Sequence, residues 1–186
     1  MALDRRQSVV VESVRRFLRR SASQHLIKLL AKARPQDFPA LYEALTEREQ
    51  LQIFRLLAER RPELGADLLV ELSHGEGPAL IRALGPQVSA KLLGHCAEDD
   101  TADILAALED DERAALLEAM RPEDKVGVER LLLFEEETAG RIMTTDVFAL
   151  HEDTTVGDAI AELQAREDVE MAFYLYVVDD RRHLVG

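Results

Sequence analysis

The chain has 186 residues and a formal net charge of −13, from 23 Lys+Arg against 36 Asp+Glu. Apolar residues make up 47%, enough for a packed core, which excludes a disordered acidic tail as the whole answer. The longest unbroken apolar run, Met171–Val178, has eight residues, whereas a membrane-spanning helix needs roughly 20, so no bilayer span is expected. Arginines at 5, 6, 15, 16, 19 and 20 leave no apolar signal segment. The one cysteine, Cys96, cannot form an internal disulfide, which suggests a reducing compartment. The acidic excess argues against a nucleic-acid binder and points to cations or basic surfaces.

The charge is uneven along the chain. Residues 1–34 hold nine Lys+Arg and two acids, whereas residues 35–186 hold 14 Lys+Arg and 34 acids. A basic N-terminal helical segment, 1–34, therefore precedes a strongly acidic body. Val9, Val10, Val14, Phe17 and Leu18 recur at helical spacing within it, predicting an amphipathic helix. Such a helix either makes weak contact with an anionic membrane surface or caps the body and neutralises part of its charge.

Residues 35–134 repeat internally. Ala66-Asp67-Leu68-Leu69 returns as Ala90-Lys91-Leu92-Leu93 and as Ala114-Ala115-Leu116-Leu117, at steps of 24 residues, and Leu84, Leu108 and Leu132 follow the same step. Polar or breaker stretches, Ser73–Pro78, Glu98–Thr101 and Arg121–Asp124, separate the apolar strips. Apolar residues three and four apart predict a superhelical stack of short helix pairs, none able to bury enough area alone. A linker at 135–146 follows. Val147–Leu150 then reads as a strand, and a helix capped by Thr154 or Thr155 runs to about Arg166. Phe173–Val178 reads as a buried strand, Asp179–Arg182 as a turn, and Leu184-Val185 as the next strand's beginning. The fold class is mainly α, followed by an incomplete α/β motif at 147–186.

The string Phe134–Met143, then Thr155-Val156-Gly157-Asp158-Ala159, then Tyr174-Leu175-Tyr176-Val177-Val178-Asp179, resembles the MgtE family of magnesium transporters and channels. The resemblance implies a superhelical N domain at 35–134 and a partial first CBS motif at 147–186. It also implies a complete protein that continues through the rest of the CBS pair, a plug helix and five transmembrane helices, as a homodimer. The present chain would then be the soluble magnesium-sensing regulatory region at the cytoplasmic face of the cell membrane. It would not be an enzyme, and its partners would be Mg²⁺ and the missing CBS and pore portions.

Mg²⁺ prefers oxygen ligands and keeps several waters, so one or two carboxylates suffice on each side of a cleft. Asp99 and Asp103 are four apart and share one helical face; at roughly 6 Å in water their repulsion is only about 0.7 kcal/mol. The family resemblance implies that Asp67, Asp99 and Asp103 face the CBS domain and hold regulatory Mg²⁺, which bridges the two domains and favours pore closure. It also places Arg141 where relatives offer a backbone carbonyl, so that the arginine would crowd the site. The runs Asp110-Asp111-Glu112 and Glu135-Glu136-Glu137 read as solvated faces. His95-Cys96 lacks a second pair for zinc, Cys96 reads as a small core residue, and Gly75-Glu76-Gly77 is no phosphate loop. Two alternatives stay open. One is a helical-repeat interaction scaffold like the flagellar motor switch protein FliG; the other is a CBS-type adenine-nucleotide sensor.

Overall fold

Local chemistry sets where each helix starts. The structure, a computed structural model, describes residues 5–73, 75–135, 138–141, 143, 147–165 and 174–186. It divides into two units, Met1–Met143 and Thr144–Gly186. The first unit holds α1 (Arg5–Arg19), α2 (Ser23–Leu30), a 3-10 turn (Pro35–Asp37), α3 (Phe38–Glu43), α4 (Glu47–Arg60) and α5 (Pro62–Val70). There follow α6 (Glu76–Leu84), α7 (Pro86–Leu93), α8 (Glu98–Ala106), α9 (Asp110–Ala119) and α10 (Pro122–Leu132). Proline opens α5, α7 and α10, where its missing N–H costs nothing. Acids fill the first turns of α8 and α9, beside the positive end of the helix dipole. The polar stretches between the apolar strips, Glu98–Thr101 and Arg121–Asp124, therefore begin helices.

Most contacts join each helix to the one two places along: α4 to α6, α5 to α7, α6 to α8, α7 to α9 and α8 to α10. This is the stacking that the 24-residue step predicts. The recurring Ala-x-Leu-Leu strips fall on α5, α7 and α9, and Leu68, Leu69, Leu92, Leu93 and Leu116 are buried. Gly65 lets α5 approach its neighbours: a Cβ there would stand 2.5 Å from Leu92 Cδ2 and 3.2 Å from Leu57 Cβ. Two buried hydroxyls tie successive helices. Ser89 Oγ in α7 donates to the Ile81 carbonyl at 2.9 Å, and Thr101 Oγ1 in α8 donates to the Leu93 carbonyl at 3.2 Å. At the other end Phe38, Tyr42 and Phe54 meet, with Phe54 edge-on to both partners.

The basic segment packs onto this stack, with α1 touching α2, α3 and α4. Its inward face is Val11 and Val14, both buried, while Val9 points outward. Arg15 holds the contact, donating to the Ala44 carbonyl at 2.8 Å and pairing with Glu49 at 3.3 Å. Glu49 also closes the capping box of α4 with Thr46. Among the described residues, no helix is long and apolar enough to cross a membrane.

The second unit holds β1 (Ala149–His151), α11 (Val156–Ala165) and β2 (Tyr176–Val178). The strands pair in parallel, Leu150 opposite Val177, through the α11 crossover. Thr155 caps α11 by accepting the Asp158 N–H at 3.3 Å. Leu184 makes a single antiparallel bridge to Val178 in place of a full strand. The stretch read as a buried strand differs: Tyr174, Leu175 and Tyr176 are 77%, 44% and 42% exposed, because two strands and one helix cannot cover both faces of a sheet. Phe173 lies outside the described residues.

The Glu49 carboxyl is held below its ordinary value of 4.5: burial pushes it up, but hydrogen bonds from Thr46 and Arg15 outweigh that. Its contribution is therefore present above that value and lost as pH falls through the folded one. Glu49→Gln is expected to lower stability by about 1 kcal/mol at neutral pH. In urea melts taken over a pH series, its gap from the wild type closes below about pH 4.

Candidate functional site

The acids come from two helices. On α8, Thr101, Ala102 and Leu105 point inward and are buried, which turns Asp99, Asp100 and Asp103 toward the other side. Ala97 offers no side-chain cap, so the three acids of the first turn, Glu98, Asp99 and Asp100, complement the helix N-terminus. On α5, Asp67 is exposed between the buried Ala66 and Leu68.

Cys96, in the connection from α7 to α8, reports how these acids lie. It is half-buried against the core, and its thiol donates to the Leu92 carbonyl at 3.6 Å. Burial, then the charges of Asp100 and Asp67, push that thiol up to about 12. The reading of Cys96 as a small core residue is therefore met in part, since acids from both helices lie within electrostatic reach of it. The Asp100 carboxyl is itself raised, by partial screening from water and then by Asp99 and Asp103. Asp67 and the α8 acids thus share one electrostatic neighbourhood, although 32 positions separate Asp67 from Asp99. Among the described residues no three His, Cys, Asp or Glu side chains converge closely enough to hold a metal on their own. The chemistry of the set suits a hydrated hard cation, held by few carboxylates and its own waters.

The side-chain placement that the sequence did not indicate is that of Arg141. Gly140 lies against Phe134, where a Cβ would come within 2.5 Å of the ring. The turn closes as the Arg141 N–H donates to the Thr138 carbonyl at 3.0 Å. This turn sends the Arg141 side chain inward until the residue is only 3% exposed. Its Nη2 donates to the Ala102 carbonyl and lies 3.4 Å from Asp103 Oδ1, whose side chain is 50% exposed. Its Nη1 is buried and makes no hydrogen bond among the described residues. Arg141 was expected to crowd an ion; its side chain instead pairs with one of the three candidate ligands. A lone arginine in a glycine-containing turn carries no sequence signal for burial, so only the fold could place it.

Other candidates resolve as structure. Glu112 receives a 2.7 Å hydrogen bond from Arg82, joining α9 to α6, and Asp110 pairs with Arg113. Glu136 and Glu137 lie outside the described residues, as does His74. His151 and His183 hydrogen-bond Asp180 at 2.9 Å and Asp179 at 3.2 Å in the second unit.

Removing the Asp103 charge leaves the enclosed Arg141 guanidinium without a counter-ion. Asp103→Asn is expected to cost about 1 to 3 kcal/mol, less than for a fully buried pair because Asp103 is half in water. Asp67→Asn, which breaks no ion pair, changes stability by under about 0.5 kcal/mol. Urea denaturation of the two variants side by side checks the contrast.

Known proteins agree with this architecture. The family model described as the MgtE intracellular N domain matches residues 33–137, and the CBS domain matches residues 139–186. The magnesium transporter MgtE of Thermus thermophilus is 30% identical over 178 residues, 94% of this chain but 39% of the relative. The chain therefore spans about two fifths of that protein. A crystal structure of the soluble part of a magnesium transporter superposes with a TM-score of 0.84 at 25% identity, covering 97% of this chain and 70% of that one. The cytosolic domain of the Mg²⁺ channel MgtE, solved in complex with ATP, gives 0.81 at 30% identity, covering 94% and 71%. By the match over more than half its length, the chain belongs to the MgtE family, with the family's intracellular N domain followed by CBS-domain sequence.

Proposed function

We propose that this chain is the cytosolic magnesium-sensing region of an MgtE-like transporter or channel, regulatory and not enzymatic. The observation that carries the reading is that Asp67 on α5 and Asp100 on α8 both act on the Cys96 thiol, while Asp99 and Asp103 act in turn on Asp100. Family membership supplies the ion, because the curated relatives are magnesium transporters. At low Mg²⁺ the like charges of the acidic surfaces repel and the N and CBS domains separate. At high Mg²⁺, Asp67, Asp99 and Asp103 hold hydrated ions that bridge to the CBS domain, and the compact state favours pore closure in a homodimer. The ion shifts the population only as far as it binds the compact state more tightly than the open one.

Small-angle scattering on the protein extended through both CBS motifs tests this. The radius of gyration is expected to shrink across millimolar Mg²⁺, and Asp67→Asn with Asp99→Asn is expected to shift the midpoint to higher concentration. Unchanged dimensions would count against the reading.

A second reading, adenine-nucleotide binding by the CBS domain, is favoured by one observation: a relative of TM-score 0.81 was solved in complex with ATP. It is compatible with the first, since the two ligands would occupy different parts of the chain. Calorimetric titration of the same extended protein with ATP is expected to give saturable heat, which Mg²⁺-site substitutions at Asp67 and Asp99 leave unchanged.

A further inference from the structure

We propose that Arg141 is a built-in counter-ion for Asp103, holding with its own charge a place that a divalent ion would otherwise take. The inference rests on the cation-sensing reading above and assigns a residue of this chain that sets the threshold of that sensing.

Four observations carry it. The guanidinium is enclosed, with the residue 3% exposed, and an enclosed charge must be paired to be tolerated. Its partner is Asp103, at 3.4 Å. Its position is also fixed from α8 itself, because Nη2 donates to the Ala102 carbonyl, the residue preceding Asp103. A surface arginine could swing away from its carboxylate, whereas this one is anchored by a neutral backbone group and by the turn at Gly140. Finally, among the described residues the ion pairs at this surface put a cation on Asp103 and on none of Asp67, Asp99 or Asp100. The anchored arginine is thus the described counter-charge of the α8 acids.

The chemical consequence follows from what a hydrated Mg²⁺ requires. The ion approaches through its waters and needs carboxylate oxygens that are free to accept from them. A guanidinium 3.4 Å from Asp103 Oδ1 already offsets that charge and repels the arriving ion. Cation binding at Asp103 therefore competes with a tethered charge, while Asp99, Asp100 and Asp67 carry no such competitor. The burial of the Arg141 stem gives it little room to yield. The acidic surface is accordingly one charge less repulsive without any bound ion, and it responds to Mg²⁺ at a higher concentration than its carboxylates alone would set.

The test is a Mg²⁺ titration of the protein extended through both CBS motifs, followed by the backbone amide NMR signals of Asp67, Asp99, Asp100 and Asp103. The half-saturating Mg²⁺ concentration for the Asp103 signal is expected to fall about tenfold in Arg141→Gln. Arg141→Lys, which keeps the charge, is expected to stay near the wild type. Arg141→Met fills the space of the buried stem and is read in the same way if the glutamine variant does not fold. An Asp103 midpoint that is unchanged or raised in the neutral variants overturns the proposal. If Asp99 and Asp100 respond alike in every protein and Asp103 in none, the sensing reading stands and the Arg141 role falls. If none of the four signals responds in any protein, both fall.

Discussion

No helix in this chain can stand alone. The helices of the stack from α3 onward run from 6 to 14 residues, at or below the length at which an isolated helix is even marginal in water. Each must bury its apolar stripe on its neighbours, and from α4 onward the helix two places along is the recurring one, with next-door pairs such as α4 and α5 or α6 and α7 adding to it. That rule makes the stack directional and gives each helix one inward and one outward face. The close approach at Gly65 and the hydroxyl ties of Ser89 and Thr101 keep the spacing tight. Burial of the leucine strips then repeats at every step.

The same rule decides what the acids can do. Packing turns Thr101, Ala102 and Leu105 inward on α8 and leaves Asp99 and Asp100, with Asp103 one turn further on, on the other side. It turns Ala66 and Leu68 inward on α5 and leaves Asp67 out. The stacking of α5 on α7 brings Asp67 within electrostatic reach of the α7–α8 connection, where Cys96 registers both Asp67 and Asp100. The Asp100 carboxyl is raised by partial exclusion of water and then by the charges of Asp99 and Asp103. Among the described residues this acidic surface contains no closed metal site. That suits an ion that keeps its own waters.

Arg141 and Arg15 illustrate two uses of a cation against an acidic body. Arg15 fastens α1 to α4 through Ala44 and Glu49, so the basic segment packs as part of the stack. Arg141 does not join two helices by reaching across the surface. It is enclosed beside α8 and offers its charge to a half-exposed carboxylate. The first position stabilises; the second tunes how much of the acidic surface is left for an ion to neutralise.

Periodicity alone determined the repeat, the helical class of residues 38–132 and the β-α-β order of the second unit. Those features are written in apolar spacing, and spacing survives in one dimension. The shared face of Asp99 and Asp103 was legible for the same reason, since four residues make about one helical turn; their choice as candidate ligands came from the family resemblance. The junction string carried the family resemblance, which the domain matches bear out. Three things were decided only in three dimensions. Breaker-rich stretches became helix starts, because acids and proline stabilise a first turn as readily as they end a helix. The aromatic stretch before β2 stayed exposed, because a sheet of two strands leaves a face uncovered. And Arg141 went inside to meet Asp103, 38 positions away, because a turn with no local signature aimed it there. Sequence fixes which residues recur; burial fixes which of them face each other, and the pairing of charge follows from burial.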